Sequence, residues 1–295
     1  MLFEKKITIG KILIIFFIVF FCLTCVIPIL HILAVSFNDS MDAMRGGIIV
    51  WPRKFSMQNF KHVFEDARFI DAFMVTLFRT LLGTVLMVLF NALYAYALSK
   101  ARLICRRFFT LWALVPMYFA PTLIPLYMIY RSLNLTNNIF IYVIPYLFSP
   151  FYIIVYRTFF VSIPEALEES AFLDGANDAV VFFRIYLPLS LPVVATIALF
   201  GGVYHWNDWL VSEAFVFNEK LWTLQKLLLY ILKSTDTTDL QNQLAQMMKN
   251  RLAGDTVTTE SLRMAMIVIC TAPIIAIYPF LQKYFIKGLT IGSVK

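Results

Sequence analysis

The chain of 295 residues is 60% hydrophobic and only 15% charged, with a mean hydropathy of +0.77. A soluble domain of this length carries more charge and shorter apolar runs, so these values exclude it and leave an integral membrane protein. The net charge of +7 comes from bases at the ends of apolar runs (Lys5, Lys6 and Lys11; Lys100, Arg102, Arg106 and Arg107; Lys283, Lys287 and Lys295). That placement follows the positive-inside rule and argues against nucleic acid as a partner.

Crossing about 30 Å of hydrocarbon takes about 20 apolar residues as helix. Six runs meet that length, at about 11–36, 70–99, 108–132, 139–160, 189–210 and 261–285. The pattern predicts an all-α integral membrane protein with six transmembrane helices, its N- and C-termini both cytoplasmic. The first run is about twice as long as the core of a signal peptide and reads as a retained anchor. Cys22 and Cys25 spell C-x-x-C inside that apolar run, Cys105 lies in a basic loop and Cys270 in the last run. They suggest no disulfide framework, and His31, His62 and His205 are too scattered for a metal cluster.

Span two holds Arg79, which is costly at depth unless it snorkels or faces a wet cavity. No carboxylate falls at the middle of any run, which argues against proton- or sodium-coupled transport. Prolines at Pro116, Pro121, Pro125, Pro145, Pro150 and Pro273 favour kinks in spans three, four and six. Two segments, 37–69 and 211–260, are expected outside. The second contains LWTLQKLLLYILK, whose Leu221, Leu224, Leu227, Leu228 and Ile231 recur at helical spacing. It reads either as a helix lying on the outer membrane surface or as a lid or docking surface.

Between spans four and five, residues 162–188 form an acidic island that this topology makes cytoplasmic. Glu165, Glu168, Glu169, Asp174 and Asp178 stand there against Arg184 alone. Ser162 and Glu165 have capping-box spacing, so a helix is expected over about 163–173. Gly175 then allows a turn, Asn177 can cap a second segment over 178–186, and Leu187-Pro188 closes it. Anionic inner-leaflet lipid would repel the acids, so a protein partner suits this unit better than a bilayer surface.

Glu169-Ser170-Ala171, three residues, Gly175, nine residues and then Ile185-x-Leu187-Pro188 resemble the EAA loop of ABC-importer permeases. The run E-E-S-A-F-L-D-G-A is similar to the carbohydrate-uptake, maltose-type branch of binding-protein-dependent permeases, close to the lipoprotein-linked complex-glycan permeases. Ser170 departs from the usual alanine. Trp206-Asn207-Asp208-Trp209 resembles the W-N-D/E-F/W of sugar permeases, and Lys287 to Lys295 resembles their C-terminal K/N-G-x-x-x-G-x-V-K.

The resemblance implies a permease subunit that forms half of a translocation pathway and works by alternating access. The island would be the coupling helix, with Glu168, Glu169, Ser170, Ala171, Asp174, Gly175, Ile185, Leu187 and Pro188 as its ATPase-coupling residues. Glu169 would make polar contacts in the ATPase groove, Ala171 would allow close approach and Gly175 would set the turn. The chain lacks G-x-x-x-x-G-K-[ST], so no cofactor is expected on it, and ATP and Mg belong to the partner ATPase. The implied partners are a second homologous permease, two cytoplasmic ATPase subunits, an extracellular binding protein, membrane lipid and a sugar substrate, expected to be an oligosaccharide; the chain alone is expected to be neither an enzyme nor a complete transporter. The implied location is the bacterial cell membrane. Arg79, Asn91, Tyr204, Trp206, Asn207 and Asp208 are candidates for the substrate pathway by type and position. A permease for a non-sugar solute and an ion-coupled secondary transporter are the alternatives, and a membrane-bound transferase or protease would need a nucleophile–base pair that the acidic cluster lacks.

Overall fold

The computed structural model describes residues 9–119, 121–236 and 257–291. Among the described residues the repeating structure is helical, and extended pairing is limited to an isolated antiparallel bridge between Asn38 and Phe55. The chain divides into two compact units, Met1–Ala67 with Tyr230–Ala272 and Arg68–Leu229 with Pro273–Lys295.

The first unit opens with α1 (Ile9–Ser36), which is apolar on every side and buries only Ala34, Val35 and Ser36. Such a helix belongs in hydrocarbon or against another protein. Two short helices follow, α2 (Ser40–Ala43) and α3 (Gln58–Glu65). Buried amides hold them to the end of α1. Asn59 Nδ2 donates to Ser36 O (2.9 Å) and Asn38 O (3.0 Å), and its Oδ1 accepts from Ser40 Oγ (2.6 Å). Arg53 adds an ion pair to Asp42 at 3.1 Å.

The second unit is built on α4 (Ala67–Ser99). The sequence predicts a single helix over 108–132, but the structure has two, α5 (Arg106–Tyr118) and α6 (Leu123–Ser132). Pro121, without an N–H, falls in the break, and Thr122 is extended. The run at 139–160 is also divided. Two 3-10 turns, Ile139–Tyr142 and Ile144–Tyr146, meet α7 (Pro150–Val161) at a bend of 45°.

Beyond α7 come α8 (Glu165–Leu173), α9 (Asp178–Val181), a π segment (Phe182–Tyr186) and α10 (Leu187–Leu189). The segment Asp178–Leu189 meets α11 (Leu191–Asn207) at 80°. Then follow α12 (Leu210–Phe215) and α13 (Leu224–Asp236). The apolar side of α13 is turned inward: Leu224 and Leu227 are buried, and Leu224 N–H donates to Thr76 Oγ1 at 2.8 Å. That side is therefore not free to lie on lipid, which corrects the reading of a surface helix. The final helix, α14 (Thr259–Ile291), buries Ser261, Ala265, Met266 and Cys270 near its start.

By length and composition three described helices can cross a membrane, or five if each bent pair counts as one span. Residues 237–256 of the expected outer segment and the last four residues of the C-terminal motif lie outside the described residues.

Candidate functional site

The island at 162–188 is a helix–turn–helix with fixed ends. Ser162 does not form the expected capping box. It closes α7 instead, its hydroxyl donating to Phe159 O at 2.6 Å, and α8 starts after Pro164 with no side-chain cap. Glu165 and Glu168 occupy the first turn of α8, where carboxylates favour the helix dipole. Its C-terminus is a Schellman motif: Ala176 N–H reaches Ala171 O (2.9 Å) and Gly175 N–H reaches Phe172 O (3.0 Å). Gly175 sits at φ +82°, as the motif requires. Asn177 then caps α9, accepting from Val180 N–H at 2.9 Å.

Pro188 does not close the second segment as expected, because the helix continues through it to Leu189. The π segment explains the tolerance. Leu187 N–H bonds five residues back, to Phe182 O, so the regular ladder is already interrupted where the proline lacks a donor. Ser190 marks the corner into α11, its hydroxyl donating to Tyr186 O at 2.6 Å.

The five acids do not act alike. Glu168 is turned into the protein, where it accepts from Lys100 Nζ and from Tyr186 Oη (2.7 Å), with Arg102 at 3.7 Å. Asp178 pairs with Arg102 and accepts from Tyr96 Oη at 3.3 Å. Burial works to raise the Glu168 pKa, but Lys100, Tyr186 and Arg102 outweigh it and hold the carboxyl below its ordinary value. Burial, followed by the bond to Glu168, pushes the Tyr186 phenol up. Two of the acids expected to meet a partner are thus engaged within the chain.

Glu165, Glu169 and Asp174 remain exposed, together with Ser170, Leu167 and Leu173. Leu173 is 89% exposed, a large aliphatic side chain without cover in this chain. The outer face of α8 therefore joins carboxylates to apolar surface. Ala171 is half-buried against the chain's own core beside Phe172, so it permits close packing inward rather than toward a partner. Ile185 and Leu187 pack on the same core, whereas Gly175 and Pro188 are exposed.

The candidates for a substrate pathway separate as clearly. Arg79 neither snorkels nor faces open space: it is fully buried, with Nη2 at 2.6 Å from Asp208 Oδ2 and its guanidinium 5.0 Å from the Tyr142 ring centre. Asn91 is buried and holds the bend before α7. It donates to Met87 O (2.5 Å) and Leu147 O (2.9 Å) and accepts from Ser149 N–H (2.8 Å). Trp206 is buried, edge-on to Phe73, while Tyr204 and Asn207 are exposed. These six residues therefore do not share one open surface. Sequence reasoning missed Lys100 as a site residue, since its position at a span end explained it already.

The matches to known proteins cover most of this architecture. Residues 83–291 match the family model described as "binding-protein-dependent transport system inner membrane component". The polygalacturonan/rhamnogalacturonan transport system permease protein YtcP of Bacillus subtilis is 34% identical over 279 residues, covering 95% of this chain and 96% of the relative. Protein LplC of the same organism is 35% identical over 270 residues, covering 92% and 89%. A solved bacterial ABC transporter involved in the import of the acidic polysaccharide alginate has a chain that is similar at a TM-score of 0.84 and 29% identity, with 94% of this chain and 96% of that one covered. With a family model across most of its length and full-length relatives on both comparisons, the chain belongs to the binding-protein-dependent transport system inner membrane components.

Proposed function

We propose that this chain is a permease subunit of an ATP-driven, binding-protein-dependent importer of carbohydrate, with an oligosaccharide as the cargo. The observation that carries the reading is the capped α8–Gly175–α9 unit, which presents Glu165, Glu169, Asp174 and Leu173 on one exposed face. The matches support the cargo class, since one relative is named for polygalacturonan/rhamnogalacturonan transport and the similar solved transporter is involved in alginate import.

In this reading the chain crosses the membrane six times, counting the broken α5–α6 pair as one span, with both termini in the cytoplasm. The whole chain is one type-1 transmembrane domain, 162–188 is its coupling loop and 211–260 an outer loop. It sits in the bacterial cell membrane and pairs with a second, related permease. Two ATPase subunits bind ATP and Mg beneath the pair, and an extracellular binding protein delivers the sugar. Exposed Glu169 meets polar or basic groups of the ATPase groove, and Leu173 meets its apolar floor. Closure of the ATPase dimer moves α8, and the spans exchange outward- and inward-open states.

Purification of the tagged chain from its own host in mild detergent tests this. The reading expects one related permease and an ATPase to co-purify, and the ATPase to respond to a sugar-loaded binding protein. A chain that purifies alone and transports under an ion gradient would refute it.

A further inference from the structure

One ammonium group joins three elements beneath the coupling face. Lys100 follows directly on the last residue of α4, and it is only 9% exposed. Its Nζ lies 4.1 Å from the ring centre of Tyr96 on α4 and 3.8 Å from that of Tyr186 on the π segment. It also bonds to Glu168 on α8. Glu168 in turn accepts from Tyr186 Oη, which closes a ring of contacts around the cation. Below it lies an aromatic block in which Tyr96 meets Phe160, Phe182 and Tyr186 at centroid distances of 6.4, 5.3 and 5.0 Å.

A buried cation is tolerated only while its counter-charge stays in place, since removing one partner leaves the other uncompensated. The two ring faces add attraction that strengthens with desolvation. Sliding α8 away from the end of α4 would break the Lys100–Glu168 pair and the Tyr186–Glu168 bond together, leaving the ammonium against the two rings without its counter-charge. The parallel contacts of Arg102 with Asp178 and with the Phe172 ring (4.8 Å) lie at a more exposed edge and support the same joint. The π segment belongs to the device as well. Its widened turn alters the angular position of the residues that follow, and Tyr186 closes that turn with its hydroxyl on Glu168.

We propose that Lys100 is a positioning residue that locks the coupling helix to α4, so that movement imposed on α8 reaches this long helix as rigid-body displacement. This rests on the permease reading above and adds to it the route by which the stroke enters the spans. It also assigns the acids of the loop two separate tasks: Glu165, Glu169 and Asp174 face the ATPase, while Glu168 and Asp178 face the chain's own bases.

The test uses the assembled complex in proteoliposomes, comparing the unaltered chain with Lys100→Met, Lys100→Arg and Tyr186→Phe. Three quantities are read: ATPase retained on the permease pair, basal hydrolysis, and the ratio of sugar transported to ATP hydrolysed in the presence of loaded binding protein. The expected result for Lys100→Met is retained ATPase and basal hydrolysis with at least about a tenfold fall in that ratio, the response to a charge left partly buried without its partner. Lys100→Arg should recover part of the ratio. Tyr186→Phe, which keeps the ring and loses only the bond to Glu168, should shift the ratio in the same direction by less, and it carries the test alone where Lys100→Met fails to insert in the membrane. An unchanged ratio in every variant that inserts would overturn the proposal, as would loss of ATPase binding from either variant at full membrane insertion. If the unaltered chain holds no ATPase, the permease reading itself fails, a result distinct from both.

Discussion

Arg79 and Asp208, 129 residues apart in sequence, meet as a buried ion pair with Nη2 and Oδ2 at 2.6 Å. Arg79 Nη1 also donates to the Asp208 backbone carbonyl at 3.2 Å, so both the charge and the chain end of α11 are held. The pair ties α4 to the segment between α11 and α12. Removing the carboxylate with Asp208→Ala would leave a buried guanidinium uncompensated, a loss of about 3–5 kcal/mol. The expected outcome is a large drop in the melting temperature of the detergent-purified protein. Replacing both residues by apolar ones of similar volume should recover much of it.

Two glycines test how tightly α4 and α11 pack. A Cβ at Gly83 would stand 2.9 Å from the His205 ring, and one at Gly201 would stand 2.0 Å from Met87 Cε. The buried imidazole is rigid and confined, while the Met87 methyl is the far end of a flexible side chain. Gly83→Ala should therefore destabilise more than Gly201→Ala, despite its longer contact. Melting temperatures in one detergent decide the order.

Gly175 tests the backbone alone. A Cβ there meets nothing within 4 Å, but the residue sits at φ +82°. Gly175→Val should thus cost about 1–2 kcal/mol through conformation rather than clash. Gly175→Asn should be milder, because asparagine tolerates the left-handed region. Equal melting temperatures and equal uptake for the two variants would contradict a purely conformational cost.

The carboxyl of Glu168 gives a pH signature. Its folded pKa is below the ordinary value of 4.5, so its contribution to stability is present above that value and is lost as pH falls through the folded pKa. The difference in melting temperature between the unaltered chain and Glu168→Gln should be level at neutral pH and shrink on acidification below the ordinary range. A difference that shrinks as pH rises from neutral would have the wrong sign.

The architecture was legible where one local pattern decides it. The acidic island, the turn at Gly175 and the Asn177 cap follow from spacing and residue type, and the structure has all three. The breaks in the runs at 108–132 and 139–160 were harder to place, because prolines in membrane helices signal kinks without saying where the chain reopens. Asn91 shows why: two of its bonds, to Leu147 O and from Ser149 N–H, stabilise the bend before α7 from 56 and 58 residues away. Ser162 has capping-box spacing but closes α7, because a serine can close one helix as readily as open the next. Arg79 and Lys100 look like a snorkelling and a topogenic base when read by position alone. Their partners Asp208 and Glu168 lie 129 and 68 residues distant, and no local pattern encodes such pairs.

The central claim is that the exposed face of α8 receives an ATPase. Glu169→Lys tests it most directly, since Glu169 is exposed and its reversal leaves the Lys100–Glu168 joint intact. Sugar uptake and binding-protein-stimulated ATP hydrolysis are measured on the reconstituted complex at matched membrane levels. The account predicts normal insertion with uptake and stimulation both reduced by about tenfold or more, as expected when a desolvated interface charge is reversed. Normal uptake at normal expression would contradict it.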